Sequence, residues 1–475
     1  MTIQIGDHAV VLGGSMAGLL AARVLSEHYA QVTVVERDLL PAAGGHRRGV
    51  PQSRHVHGIL PRGRALLDEL FSGLSAELVA AGALTGDSLG CVRWLLSGHR
   101  LAQATSGSNG LFVSRPLLED QVRARVRDIS AVTIRDGCAA VGLVASPGHR
   151  QITGVQLLPS AGAGTAPALA ADLVVDATGR GSHTPAWLAQ LGYPKPHRDK
   201  VTVGVRYASR MFRLGEGALG HDRLIITGGT AARPRGGALT AIEGGRHHVS
   251  LAGMLGDTPP TGLPEFVRFA RTLPFPDIYH AIIDAEPLDD GVAFGYPASV
   301  RVRYEQLNRF PAGLLVIGDA VCALNPVYGQ GMTVAAMQAM ALRRMLATGA
   351  APAARRYFRH IAKVITVPWD IAVGGDLANP AVTGRRTAKI RLVNAYLPRL
   401  HAAAASDPAL ARAFVRVSGL IDRPESLLRP DRVALVLAAR WRPRPAVTAD
   451  GPVSGVASDP SGKVRGGATG SPLTP

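Results

Sequence analysis

Ala9-Val-Val-Leu-Gly-Gly-Ser-Met-Ala-Gly18, closed by Val32-Thr-Val-Val-Glu36, is the stretch on which the fold turns. Ala9–Leu12 reads as a buried strand, Gly13–Gly18 as a tight turn, Leu19–His28 as a helix and Val32–Glu36 as a second strand. Together they make a βαβ unit of about thirty residues, the opening of a parallel sheet. Gly13 permits the strand-to-helix turn, and Gly18 lets the helix pack close to the sheet. Gly14, Met16 and Ala17 fill the turn, whose helix end offers unpaired N–H groups to a pyrophosphate. The usual middle glycine is Ser15, which adds a Cβ where phosphates approach and a hydroxyl able to donate to one. Glu36, followed by Arg37, ends the second strand where it accepts from adenosine ribose hydroxyls. An acid there disfavours a 2′-phosphate, so FAD or NAD is preferred over NADP.

Outward from this unit, Pro41–Gly63 is rich in Gly, Pro, Arg and His and reads as a long functional loop. Arg48 and Gln52 are its candidate cofactor contacts. His55 and His57, two residues apart, would share one face of an extended segment, but no third ligand accompanies them, so no metal site is assigned. Arg64–Phe71 reads as a helix, and Leu111–Ile129 as an extended entry into another, with Arg115 at its start. Val132–Ile134, Ala139–Val144 and Ile152–Leu158 read as strands, the last two flanking a Pro147-Gly148 turn. Asp172-Leu-Val-Val-Asp-Ala-Thr-Gly-Arg-Gly-Ser182 is a buried strand ending in small residues, which admits a ligand close to backbone. From Ala186 to Val302 alternating runs at Val201–Tyr207, Leu224–Thr227 and His247–Ala252 predict a mostly antiparallel sheet, with a helix over Leu263–Leu273. Leu314–Ile317 returns to a parallel-type strand and runs into Gly318-Asp319. Asn325-Pro-Val-Tyr-Gly-Gln-Gly-Met332 then opens a helix over Thr333–Leu346.

The expected organisation is therefore an α/β cofactor lobe of Rossmann-like, glutathione-reductase type, made of residues 1–75, 111–185 and 303–350. A mostly antiparallel substrate lobe is expected over 186–302 with a further segment at 76–110. Helices follow over 351–442, and a Gly/Pro/Ser/Thr-rich tail over 443–475 reads as disordered.

The chain has 475 residues, a 47% hydrophobic fraction and a net charge of +17, enough for more than one core. Only five of its 52 basic residues are lysine, so 47 are arginine, and they are scattered among acids and alanines. No basic stripe or interleaved stacking aromatics point to nucleic acid. No apolar run reaches the length of a transmembrane helix, and Asp7 with the strand before the first helix argues against a secretion signal. Cys91, Cys138 and Cys322 match no zinc or redox spacing and read as reduced thiols of a cytoplasmic protein.

The glycine turn with Glu36, the Thr178-Gly179 strand end and the Gly318-Asp319 segment, in this order, resemble the para-hydroxybenzoate hydroxylase-like FAD monooxygenases over residues 8–350. Arg48-Gly-Val-Pro-Gln52, Asp176–Ser182 and Asn325–Met332 resemble most a bacterial natural-product subgroup that includes the flavin epoxidases of polyether biosynthesis, with squalene epoxidase more distant. The resemblance implies that Gly13, Ser15 and Gly18 lie on the FAD pyrophosphate, Glu36 on the ribose and Asp319 on the ribitol and phosphate. Arg115 would meet the pyrophosphate or ribityl region. Gly331 and Met332 would give N–H groups to the flavin pyrimidine edge, with Pro326 and Gly329 in the same turn, and Ala140 would touch adenine through its backbone.

The implied reaction passes through a flavin C4a-hydroperoxide that delivers one oxygen atom of O₂, by epoxidation or hydroxylation, to a moderately apolar natural product. Arg48, His55, Tyr207, Phe294 and Tyr296 are the candidates lining the substrate face. Thr178-Gly179 stands where the family usually has Asp-Gly, a motif associated with FAD and NADPH contact, and the implied electron donor is NADPH or NADH, directly or through a separate flavin reductase. The Trp-x-Trp-x-Ile-Pro pattern of flavin halogenases is missing. The competing readings are an FAD-dependent alkene saturase of the geranylgeranyl reductase type and a flavin-binding sensor without turnover.

Overall fold

The computed structural model describes residues 3–41, 45–159, 168–230 and 233–439. Its opening unit is β1 (Gly6–Leu12), α1 (Met16–Leu25) and β2 (Tyr29–Val35). α1 starts three residues before the expected Leu19, because Met16, Ala17 and Gly18 already form its first turn behind Ser15. β1 is the centre of a five-stranded sheet ordered Leu314–Val316, Leu173–Asp176, β1, β2, Val132–Arg135. All four pairings are parallel. Ala9–Leu12 and Leu173–Asp176 are wholly buried, as strands covered on both faces by helices must be. α1 packs against the helices Arg115–Arg127 and Gly331–Leu346.

Leu111–Ile129 divides into a strand, Asn109–Phe112, and the helix Arg115–Arg127. Pro116 in the first turn and Ser114, whose side chain accepts from the Leu117 N–H at 3.3 Å, set that boundary. A three-stranded antiparallel sheet of Cys138–Ala145, Ile152–Pro159 and Ala168–Ala170 continues directly from β2, since the Cys138 N–H donates to the Glu36 carbonyl at 2.9 Å.

The broad sheet is built on one long strand, Arg198–Arg213, paired antiparallel with Val292–Val302 on one side and Arg246–Gly253 on the other. Only Val201–Tyr207 of it is evident from alternation. Its register shifts between Thr202 and Val205, where Gly204 has φ +55°, and that bulge breaks the period of two. Beyond Arg246–Gly253 come Arg235–Ile242, Leu224–Thr227 and Val92–Leu96, the last pair being parallel.

The two faces of this sheet have different work. Ala208, Leu239, Val249 and Leu251 pack with Phe266, Phe269, Ile278 and Ile282 of the helices Leu263–Ala270 and Asp277–Ile282 into a core of their own. The alternate residues Tyr207, Ser209, Ser250, Phe294 and Tyr296 therefore occupy the opposite face.

C-terminal helices Ala388–Ala404, Pro408–Ser418 and Pro430–Ala438 form a third core with Leu89 and Leu101. The expected disordered tail, 443–475, lies outside the described residues. Among the described residues no helix is long and apolar enough to cross a membrane, and Cys91, Cys138 and Cys322 are free.

Candidate functional site

Three backbone turns converge at the C-terminal edge of the parallel sheet, where ligands of open α/β sheets bind. The first is the glycine turn. Gly13 has φ +101°, and a Cβ there would stand 2.7 Å from the Ala177 carbonyl oxygen; a Cβ at Gly18 would stand 1.8 Å from that of Gly13. Both positions admit glycine alone. Ser15 is the N-cap of α1 without a capping side-chain bond, so the Met16, Ala17 and Gly18 N–H groups lie at an open helix end. The second turn is Gly318-Asp319. Gly318 has φ +71° and packs so close that its Cβ would lie 2.6 Å from Ala17 Cβ, while a Cβ at Gly179 would lie 3.9 Å from that of Asp319. Asp319 thus stands beside both the N-terminus of α1 and the Asp176–Ser182 strand end. The third is Asn325–Gln330, which leads through the left-handed Gly329 (φ +63°) into the exposed Gly331 and the buried Met332.

Asp319 is exposed to solvent, with protein atoms crowded around it. That crowding raises its pKa, and Arg180 and Arg115 offset part of the rise.

Under the glycine turn lies a buried ionic cluster that sequence reasoning did not find. Glu119, on the first turns of Arg115–Arg127, accepts from Arg115 Nη2 at 2.6 Å and from Arg47 Nη2, with Arg123 Nη1 3.8 Å away. Burial alone would raise the Glu119 carboxyl, but Arg115 and Arg47 outweigh it and hold it at about 2. Glu36 accepts from the Gly14 N–H at 2.8 Å and lies 3.0 Å from Arg47 Nη1. Arg47 therefore joins the two acids. Of the expected contacts Arg48 is exposed and Gln52 half-buried, whereas the buried guanidinium of this loop is that of Arg47. Ser15 corrects one expectation: its hydroxyl donates to Glu119 Oε2 at 2.9 Å and accepts from Arg115 Nη2 at 2.9 Å, so its proton is not aimed at a phosphate. Arg37 is exposed, and Ala140 is partly buried two residues beyond the Cys138–Glu36 bond.

Across from the turns stands the polar and aromatic face of the broad sheet. Tyr207 and Phe294 are direct cross-strand partners. The His55 ring lies 5.3 Å from Phe294 and 6.0 Å from Tyr207, and the Arg180 guanidinium lies 5.1 Å from the Tyr296 ring centre and 5.7 Å from that of Phe294. The structure thus brings four substrate-face candidates, His55, Tyr207, Phe294 and Tyr296, together with Arg180, and does not bring Arg48 among them. His55 and His57 do not act as a pair: His55 Nδ1 meets Ser209 Oγ, whereas His57 Nδ1 donates to the His55 carbonyl. Among the described residues no group of three His, Cys, Asp or Glu side chains could hold a metal ion.

The Asn325–Gln330 turn is braced from behind by Asp376, the last residue of the helix Ala354–Asp376. Its Oδ1 accepts from Asn325 Nδ2 at 2.7 Å and Tyr328 Oη at 3.1 Å, while its buried Oδ2 has no partner. Burial pushes this carboxyl up to about 6, against the smaller opposing pull of the Asn325 and Tyr328 hydrogen bonds. A raised carboxyl keeps its proton in the folded state while the unfolded chain has lost it. Its contribution to stability is therefore full below pH 4 and lost as pH rises through 6. Asp376→Asn is expected to flatten that decline and to gain on the order of 1–2 kcal/mol above pH 6, read from urea unfolding at pH 4.5, 6 and 7.5. A slope unchanged by the substitution would assign it to other groups.

A five-stranded parallel sheet with this glycine turn and acidic strand end, set against a broad antiparallel sheet, is the fold of flavin-dependent monooxygenases. The chain matches the flavin-dependent brominase Bmp2 at a TM-score of 0.62 and 14% identity, over 92% of this chain and 98% of that one. It matches p-nitrophenol 4-monooxygenase PnpA of Pseudomonas putida DLL-E4 at 0.62 and 17%, over 89% and 100%. A flavoprotein/dehydrogenase of Cytophaga hutchinsonii matches at 0.64 and 15%, over 91% and 98%. No protein-family model matches the chain. By sequence it is 36% identical to protein Rv3254 of Mycobacterium tuberculosis over 442 residues, 89% of this chain and 92% of that protein, and it belongs to the same family.

Proposed function

We propose that this protein binds FAD along the three converging turns and is an FAD-dependent monooxygenase. Its reaction is the insertion of one oxygen atom from O₂, by epoxidation or hydroxylation, into a moderately apolar natural product. The observation that carries this reading is the seating of Gly318 on Ala17, which sets Asp319 beside an open helix N-terminus and the Gly179 turn. NAD has no ribitol for such an acid to bind. The residues fit FAD: the N–H groups of α1 stand open behind Ser15, Asp319 is exposed beside them, and nothing lies within 4 Å of a Cβ built at Gly331.

In this reading the Met16–Gly18 N–H groups bind the pyrophosphate. Glu36 keeps acceptor capacity for the ribose beside its bonds to Gly14 and Asp38. Asp319 binds the ribitol, Gly331 and Met332 present N–H groups to the flavin pyrimidine edge, and the Ala140 backbone meets adenine. Arg115 and Arg47 act from beneath, as the positive floor of the site. When bound, FAD supplies the redox chemistry, drawing electrons from NADPH or NADH directly or through a flavin reductase. The broad sheet is the substrate lobe, and Tyr207, Phe294 and Tyr296 shield the reacting carbon from water. Bmp2 is a brominase of the same fold, but this chain lacks the halogenase tryptophan pattern, which supports oxygenation of the substrate itself.

The test is reaction under ¹⁸O₂ with candidate substrates and NADPH or NADH, with and without a flavin reductase. One labelled oxygen in the product is expected. Product formed without label, with a double bond reduced, would establish the saturase instead.

A further inference from the structure

Beside the cofactor site, one chain of hydrogen bonds has a direction that can be read from its fixed end. The Val56 N–H donates to Ser250 Oγ at 2.8 Å; Ser250 Oγ is 2.5 Å from Ser209 Oγ; Ser209 Oγ is 2.7 Å from His55 Nδ1. Ser209 and Ser250 face each other across the ladder, and all three side chains are buried. A backbone N–H can only donate, so Ser250 Oγ accepts there and its own proton goes to Ser209. The Ser209 proton then goes to His55 Nδ1. The reverse polarity would leave the buried Ser250 hydroxyl proton without an acceptor among the described residues, a cost of about 1–3 kcal/mol. His55 Nδ1 is therefore an acceptor, and the ring proton sits on Nε2.

That Nε2 has no partner among the described residues, and the ring lies against Phe294 and Tyr207 on the face opposite the three turns. Burial, with a smaller push from His46, lowers the His55 pKa to about 4, so the ring is neutral at physiological pH.

We infer that His55 is a substrate-recognition residue whose Nε2–H donates to an oxygen acceptor on the substrate, with Ser209 and Ser250 as positioning residues that fix its tautomer. This rests on the monooxygenase reading and narrows its substrate. The molecule carries a carbonyl, ether or hydroxyl oxygen next to a flat, apolar portion that lies along Phe294, Tyr207 and Tyr296. A purely hydrocarbon substrate would leave the His55 N–H unpaired on binding, and buried polar groups discriminate strongly against such analogues.

The experiment uses the full chain, ¹⁵N-labelled at histidine, with FAD added and its uptake followed by absorbance. Long-range ¹H–¹⁵N spectra identify the His55 tautomer. Wild type and Ser209→Thr are expected to show Nε2–H, and Ser209→Ala a mixture of both tautomers. Acetophenone and α-methylstyrene, which differ only in C=O against C=CH₂, are then titrated as probes. Acetophenone is expected to shift the His55 Nε2 signal and to bind about 5- to 10-fold more weakly to Ser209→Ala and His55→Phe; α-methylstyrene is expected to bind all four proteins alike.

An Nδ1–H tautomer in wild type, or equal response to the two probes, overturns the inference. Failure of FAD to bind would instead count against the monooxygenase reading, because the tautomer is read without any turnover.

Discussion

Gly18→Ala is expected to yield protein that retains no FAD and is destabilised by about 3 kcal/mol or more, the upper range for forcing a methyl group into a packed site. The added Cβ would stand 1.8 Å from the Gly13 carbonyl oxygen, a backbone atom that cannot swing aside. Relief requires α1 to move off the sheet, which displaces the Met16–Gly18 N–H groups and, through Ala17, the Gly318-Asp319 turn. Flavin absorbance of the purified protein and urea unfolding measure the two effects. Gly331→Ala is the comparison: its Cβ meets nothing within 4 Å, so its unfolding midpoint is expected to stay within error of wild type. If Gly18→Ala bound FAD like wild type, the pyrophosphate would have to be assigned elsewhere.

The second large effect lies in the ionic cluster. Glu119→Ala leaves the buried guanidiniums of Arg47, Arg115 and Arg123 without their shared carboxylate, and about 3–5 kcal/mol of stability is expected to go with it. The same group sets an acid limit. Its folded pKa lies near 2, below the unfolded value, so its contribution is complete above about pH 4.5 and is lost as pH falls toward 2. Wild type should therefore lose stability over that interval, and Glu119→Ala should lose less of it. A variant as stable as wild type at pH 7 would show that solvent or Asp120 replaces the carboxylate.

These two sites differ in how far the sequence discloses them. The glycine turn is local: strand, turn, helix and Glu36 lie within one short stretch, each with its own backbone signature. Leu314–Val316 and Leu173–Asp176 were equally plain, since strands buried on both faces read as unbroken apolar runs. The cluster is not local. Arg47 and Glu119 are 72 residues apart, and nothing in the motif Arg47-Arg48 says which guanidinium turns inward; the pairing of Arg47 with Glu119 and Glu36 exists only in three dimensions. An acid one turn after Arg115 was the available signal, because that spacing places both on one helix face. The facing of His55 toward Ser209 likewise joins residues 154 apart, and the sheet order rests on pairings as distant as Ala9 with Leu173. Asp376 was hidden for another reason: it braces the Asn325 turn from a helix in a region that reads only as helical and Ala/Arg-rich.

The strand order has a consequence for how the molecule is made. β1 lies at the centre, and the sheet grows outward from it in the order the chain leaves the ribosome: β2, Val132–Arg135, then Leu173–Asp176 on the other side. The last place, beside Leu173–Asp176, waits for Leu314–Val316. At ordinary translation rates those residues follow about 140 positions later, roughly 7 to 30 seconds. Throughout that interval a nascent Leu-Val-Val edge stands open while the broad sheet's strands from Arg198 to Val302 are being synthesised. Slowed translation or a shortage of chaperones should therefore reduce the soluble yield of this protein more than that of one whose sheet closes early.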